Sequence, residues 1–285
     1  MFLDVLLDTV IDSLKLLPFL FLTYLAMEYL EHKTSNHMND ILKKAGPLGP
    51  VIGAILGVFP QCGFSAAASN LYAGRVISVG TLAAVFLSTS DEMLPIFISN
   101  QVEVSVIVKI LAVKVVIGLV AGLGIDFVYH LSHKEQEEIH IHELCEHEHC
   151  HCEDGIFRSA LKHTIQIFVF LFVISFCLNG VMELGGAEQL RKLASDNSVL
   201  TVLIMGLVGM IPNCASSVVV TELYLEGIVS AGAMMSGLLA GSGVGLLVLF
   251  RTNRHFKDNV KFAGVLYGIA VVAGLVMQVL GIRFI

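Results

Sequence analysis

Three groups of residues in this chain carry chemistry, and all of them suit a metal. The first is a pair of motifs, Pro60-Gln61-Cys62-Gly63 and Pro212-Asn213-Cys214-Ala215, each set in an apolar stretch. Each puts a carboxamide and a thiol beside a proline, with a hydroxyl following at Ser65 and Ser217. The second group is acidic. Asp91 and Glu92 close the polar run Ser88-Thr89-Ser90, and Glu222 lies just beyond Val218-Val219-Val220. Hydrocarbon penalises charge, so an acid at membrane depth is a functional candidate. Carboxylate, carboxamide and hydroxyl oxygens with a thiolate at hand suit a borderline divalent cation such as Mn²⁺, Fe²⁺ or Zn²⁺. Two cysteines alone would suit a thiophilic trivalent metalloid instead.

The third group is a loop. Residues 130–155 hold seven of the eleven histidines, three cysteines, eight acids and one lysine. His140, His142, Cys145, His147, His149, Cys150, His151 and Cys152 recur at nearly every second position. Pairs such as His140-Ile141-His142 offer bidentate clamps without the C-x₂-C pairing of a folded zinc site. A flexible metal collector or sensor is expected. The loop also accounts for the whole net charge of −7, so the rest of the chain sums to zero.

The elements that position the first two groups come in duplicate. Residues 57–90 return without a gap as 209–242, with ten identities in 34 positions, among them Pro60/Pro212, Cys62/Cys214, Ser65/Ser217 and Ser90/Ser242. Chance would give roughly two or three, so the chain contains an internal repeat. The acids break its symmetry. Asn70 corresponds to Glu222, while Asp91 and Glu92 correspond to Gly243 and Val244. Apolar segments broken by Pro and Gly at matching places in two halves point to a transporter's binding site near the bilayer midplane.

Composition agrees with a membrane location. The chain has 285 residues, 55% hydrophobic and 14% charged. That is too apolar for a water-soluble domain. Runs of spanning length are expected at 14–30, 104–128, 164–182 and 260–280, with the broken segments between them. Each half reads as helix A, broken segment B, segment C and helix D, with C starting near Ser78 and its counterpart running to Phe250. The acidic residues near the start argue against a cleaved signal peptide. Residues 99–108 lack Lys and Arg, whereas the counterpart connection has Arg251, Arg254, Lys257 and Lys261. Positive charge favours the cytoplasmic side, so the halves are expected to be inverted. That places the His-rich loop and Lys33, Lys43 and Lys44 inside and both termini outside, with Arg191 and Lys192 counting against it.

The blocks Phe59-Pro60-Gln61-Cys62-Gly63-Phe64-Ser65, Asn70-Leu71-Tyr72 and Ser88-Thr89-Ser90-Asp91-Glu92-Met93-Leu94-Pro95, with a second copy at Pro212–Ser217, resemble the ten-span heavy-metal exporters. That family is a distant relative of the organoarsenical efflux permeases, and the likeness covers most of the chain. The resemblance implies a ten-span permease working in efflux, with Cys62, Ser65, Asn70, Ser90, Asp91, Glu92, Asn213, Cys214 and Glu222 along its pathway.

The expected fold is an all-α polytopic membrane protein of two inverted-topology repeats with Pro-broken helices at the midplane and about ten transmembrane segments. The expected divisions are 1–129, a linker 130–155, and 156–285. The absence of H-E-x-x-H and of a Walker sequence argues against an intramembrane enzyme and a primary pump. What remains is export of a divalent cation (Mn, Zn or Fe) by a secondary, proton-coupled mechanism, with arsenite or organoarsenical efflux as the alternative. Pro60, Gln61, Ser65, Pro212 and Ser217 would line the path, and Cys62, Asn70, Ser90, Asp91, Glu92, Asn213, Cys214 and Glu222 would take the metal. No cofactor is expected. The expected partners are the metal substrate and the lipid bilayer, a homodimer being allowed and nucleic acid not.

Overall fold

The computed structural model describes residues 48–58, 62–90, 93–132, 199–253 and 255–284, with scattered helical positions between 10 and 25 and between 157 and 176. In the first half, α1 spans Gly49–Gly57, α2 Cys62–Ala73, α3 Val79–Ser88, α4 Met93–Ser99 and α5 Val104–Ser132. In the second, α6 spans Val199–Gly209, α7 Cys214–Leu225, α8 Ala231–Ala240, α9 Gly245–Thr252 and α10 Phe256–Val279. The offset of 152 residues carries both ends of α2 and α3 onto those of α7 and α8, and the starts of α4 and α5 onto those of α9 and α10. The duplication in sequence is thus a duplication of helices. No strand occurs among the described residues.

Among the described residues four stretches are long and apolar enough to cross a bilayer: Val79–Ser99, Val104–Leu131, Ala231–Thr252 and Phe256–Val279. The first and third are pairs of short helices, α3 with α4 and α8 with α9. The helix expected at 104–128 and the one expected at 260–280 are present as α5 and α10. The expected spans 14–30 and 164–182 lie largely outside the described residues.

Burial sorts the helices into an inner and an outer set. Every residue of α8 is buried, as is every residue of α3 after Val79. Around them stand α1 and α5 in one half and α6 and α10 in the other. The outer helices keep aliphatic faces exposed, with Val116, Val120 and Phe127 on α5 and Val265, Val272 and Val276 on α10. A helix apolar all round belongs in a core or in lipid. The halves also share aromatic packing, since Phe262 of α10 meets Phe86 edge-on at 5.7 Å and stacks with Tyr72 at 6.5 Å.

Small residues set how closely inner and outer helices approach. A Cβ on Gly122 would stand 2.6 Å from the Gly80 carbonyl oxygen, and a Cβ on Gly80 would strike the Gly122 carbonyl. The second half repeats the crossing at Gly232 and Gly274, where a Cβ on Gly274 would stand 2.5 Å from the Gly232 oxygen. Backbones in this contact gain dispersion that larger side chains would forbid, as is usual where helices pack in membranes.

Serines start the inner helices. Ser78 accepts from the Thr81 N–H at 3.1 Å, and Ser230 accepts from the Ala233 N–H at 3.1 Å. A residue of the outer helix then anchors each cap. Ser78 Oγ donates to Asp126 Oδ2 at 2.6 Å and the Gly80 N–H donates to Oδ1 at 2.8 Å. In the second half Ser230 Oγ donates to Gln278 Oε1 at 3.3 Å. Asp126→Gln should therefore be nearly silent, because the repeat already uses glutamine there. Asp126→Ala should cost about 1 kcal/mol. Thermal unfolding in detergent would show it as a drop of roughly 2–4 °C.

One expectation needs correction. The counterpart of segment C does not run unbroken to Phe250; it stops at Ala240 and resumes at Gly245. Gly241-Ser242-Gly243 intervenes, and Gly243 adopts φ 51°, a left-handed conformation that glycine tolerates and a helix cannot continue through.

Candidate transport site

The short helices are separated at 58–61, 89–92, 210–213 and 241–244, of which 59–61 and 91–92 lie outside the described residues. Each has a local cause. Pro60 and Pro212 lack the N–H that a continuing helix needs and clash with the preceding turn. After Pro212 the chain is retied by Ser216, whose Oγ donates to Asn213 O at 2.7 Å. Thr89 ends α3 in an extended ψ of 128°, its N–H still bonded to the Phe86 carbonyl. Breaks of this kind survive in hydrocarbon only where protein or a wet cavity satisfies the freed backbone groups.

The interruptions meet one another. Ser90 Oγ donates to Val58 O at 2.5 Å, tying the second break to the first. Ser69 on α2 reaches the first residue of α9, its Oγ 2.7 Å from Gly245 O. A Cβ on Gly209 would strike the carbonyl of Gly237, one turn before the fourth break. Lys114, midway along α5, donates from Nζ to Thr89 O and, at 2.9 Å, to Leu238 O. Its side chain is fully buried. One amine therefore joins the C-terminal end of α3 to the last turn of α8.

The helices on either side of these contacts carry buried hydroxyls and carboxamides. Ser65, Ser69 and Asn70 of α2 are fully buried, as is Thr221 of α7; Ser90, Asn213, Ser216, Ser217 and Ser242 are nearly so. Of the residues expected to act, Ser65, Ser90, Asn213 and Ser217 lie in or within a turn of the breaks, Asn70 is buried further along α2, and Pro212 is half-buried. Cys62 and Cys214 are the first residues of α2 and α7, at equivalent places in the two halves. Pro60, Gln61, Asp91, Glu92 and the His-rich loop, with His140, His142, Cys145, His147, His149, Cys150, His151 and Cys152, lie outside the described residues.

Glu222 is not among these buried groups. It is exposed on α7, although its neighbours Val220 and Thr221 are buried. Its counterpart Asn70 is fully buried, on the same helix as Ser69, which bonds to α9. Sequence equivalence placed both positions alike; tertiary packing separates them. Among the described residues no three His, Cys, Asp or Glu side chains stand close enough to share a metal.

Two features of this arrangement escaped sequence reasoning. Lys114 is a lysine within a long apolar helix, which is itself a signal of an intramembrane functional group. Ser69 and Thr221 are hydroxyls at matching positions of the repeat, overlooked because they are not identical. The arrangement can coordinate or solvate a polar solute inside an apolar protein. Hydroxyl, carboxamide and carbonyl oxygens replace its water, and the ends of α3 and α8 supply negative potential.

Broken helices that meet one another among buried polar side chains, inside a repeat rich in spanning segments, are the architecture of a membrane transporter. Residues 2–185 match the family described as "Putative, 10TM heavy-metal exporter", and the chain belongs to that family. No curated protein and no solved structure matches it.

Proposed function

We propose that this protein exports a divalent cation, Mn²⁺, Zn²⁺ or Fe²⁺, by secondary, proton-coupled transport. The observation that carries the reading is the meeting of the helix breaks among buried, oxygen-bearing side chains. Asp91 and Glu92 follow Ser90 directly in the sequence and supply the negative charge that a dehydrated dication requires. Cys62, Asn70, Ser90, Asn213 and Cys214 complete the donor set, and Gln61, Ser65 and Ser217 line the approach. The His-rich loop, residues 130–155, gathers metal on the cytosolic face between the repeats 1–129 and 156–285. Comparing the Mn, Zn and Fe content of cells with and without expression tests the reading. One of the three should fall severalfold; unchanged levels of all three would contradict it.

A second reading rests on Cys62 and Cys214, which open α2 and α7 at equivalent positions. Two thiols at equivalent positions of a repeat would suit arsenite or an organoarsenical. Arsenite resistance lost in Cys62→Ser with Cys214→Ser, with divalent metal content unaltered, would favour it.

The repeats are inverted in the plasma membrane, with both termini outside, in a structure of ten spans. Glu103 and His255 test this well, being exposed and related by the offset of the repeat. Single cysteines introduced there should react with an impermeant thiol reagent from opposite sides. Reaction from one side would make the repeats parallel.

A further inference from the structure

Lys114 serves two helix ends with one amine. Nζ donates to Thr89 O, on the C-cap of α3, and to Leu238 O at 2.9 Å, in the last turn of α8. Leu266 stands at the equivalent position of the second half, so the pseudo-symmetric pair of ends receives a single positive group. A helix C-terminus carries about half a negative charge, so two of them together favour an ammonium. The same carbonyl oxygens are ligands for hard and borderline metal cations. The side chain is fully buried and stands where the second and fourth breaks come together.

We propose that Lys114 is a tethered cation that alternates with the cargo at the joined ends of α3 and α8. This inference rests on the reading of the cargo as a divalent cation. An ammonium and a dication at contact distance in a dry site repel too strongly to share it. Metal entering from the cytosol therefore displaces the amine from the two carbonyls. The amine returning to them expels the metal and keeps the empty carrier free of an unbalanced negative site. A lysine that merely tied α3 to α8 would affect stability and leave the handling of metal by the folded protein unchanged.

The test is the concentration dependence of Mn²⁺, Zn²⁺ and Fe²⁺ flux in vesicles containing the purified full-length protein, which separates affinity from rate without counting ions on the His-rich loop. In Lys114→Met the half-saturating concentration of the transported metal should fall at least tenfold, and the maximal rate should also fall at least tenfold because nothing displaces the bound ion. A half-saturating concentration that is unchanged or higher overturns the proposal. Should Lys114→Met fail to fold, Lys114→Arg keeps the charge and grips both carbonyls with a planar fork. It should raise the half-saturating concentration at least tenfold, and equality with the wild type would overturn the proposal. Flux of none of the three metals by the wild type would defeat the divalent reading and this inference with it. Wild-type flux with an unmoved variant would defeat this inference alone.

Discussion

Gly80→Val and Gly232→Val should each destabilise the protein by about 3 kcal/mol, near the upper end of what overpacking usually costs. At both positions a new Cβ meets the backbone carbonyl of the neighbouring helix, Gly122 in one half and Gly274 in the other. A side chain in that place could rotate away, but a carbonyl cannot. The outer helix must therefore move off, and contacts along its whole length with α3 or α8 weaken together. The unfolding midpoint in detergent should fall by roughly 10 °C in either variant. Matching losses in the two halves would reflect the repeated crossing. Gly124→Ala and Gly264→Ala are the controls, since a Cβ at either meets nothing within 4 Å. Both should be neutral or stabilising by about 0.5–1 kcal/mol, as helical glycines replaced by alanine usually are. Tolerance of valine at Gly80 or Gly232 would mean that the helices do not cross this closely.

Asp91→Asn combined with Glu92→Gln should reduce export of the metal by more than two orders of magnitude. Removing the counter-charge from a buried ion costs roughly 3–5 kcal/mol, and each 1.4 kcal/mol is about tenfold in affinity. The remaining donors near the break, Ser90 and the carbonyls of Val58, Thr89 and Leu238, are neutral. Glu222→Gln provides the contrast. Glu222 is exposed and stands towards the end of α7 away from the break at 210–213, so neutralising it should change export less than about twofold. A loss at Glu222 equal to that at Asp91 and Glu92 would move the site to the other face of α7.

Much of the architecture was legible because the sequence repeats itself. The offset that aligns Cys62 with Cys214 and Ser78 with Ser230 is the offset that aligns α2 with α7 and α3 with α8. Proline announced the breaks at Pro60 and Pro212, since it cannot supply the helix its N–H. The break at 241–244 was hidden. Gly-Ser-Gly in an apolar run is compatible with a packed membrane helix; the extended Gly241 ends α8 and the left-handed Gly243 follows. Ser65, Asn70, Ser90, Asn213 and Ser217 could be picked out because polar groups in apolar surroundings need a reason. Whether such a group faces inward is decided by neighbours far away in sequence. Asn70 is fully buried, while Glu222 at the matching place is exposed. Lys114 belongs to no motif of the repeat. Its meaning emerges only when Thr89 and Leu238, widely separated along the chain, are seen to share its amine.

Flux into vesicles that contain only the purified protein tests the transport claim most directly. Mn²⁺, Zn²⁺ and Fe²⁺ would each be supplied in turn against an imposed proton gradient, with the wild type, Asp91→Asn/Glu92→Gln and Glu222→Gln compared. The account predicts saturable, gradient-dependent flux of at least one metal, lost in the double variant and retained in Glu222→Gln. Flux of arsenite alone, abolished by Cys62→Ser with Cys214→Ser and indifferent to the two acids, would contradict it.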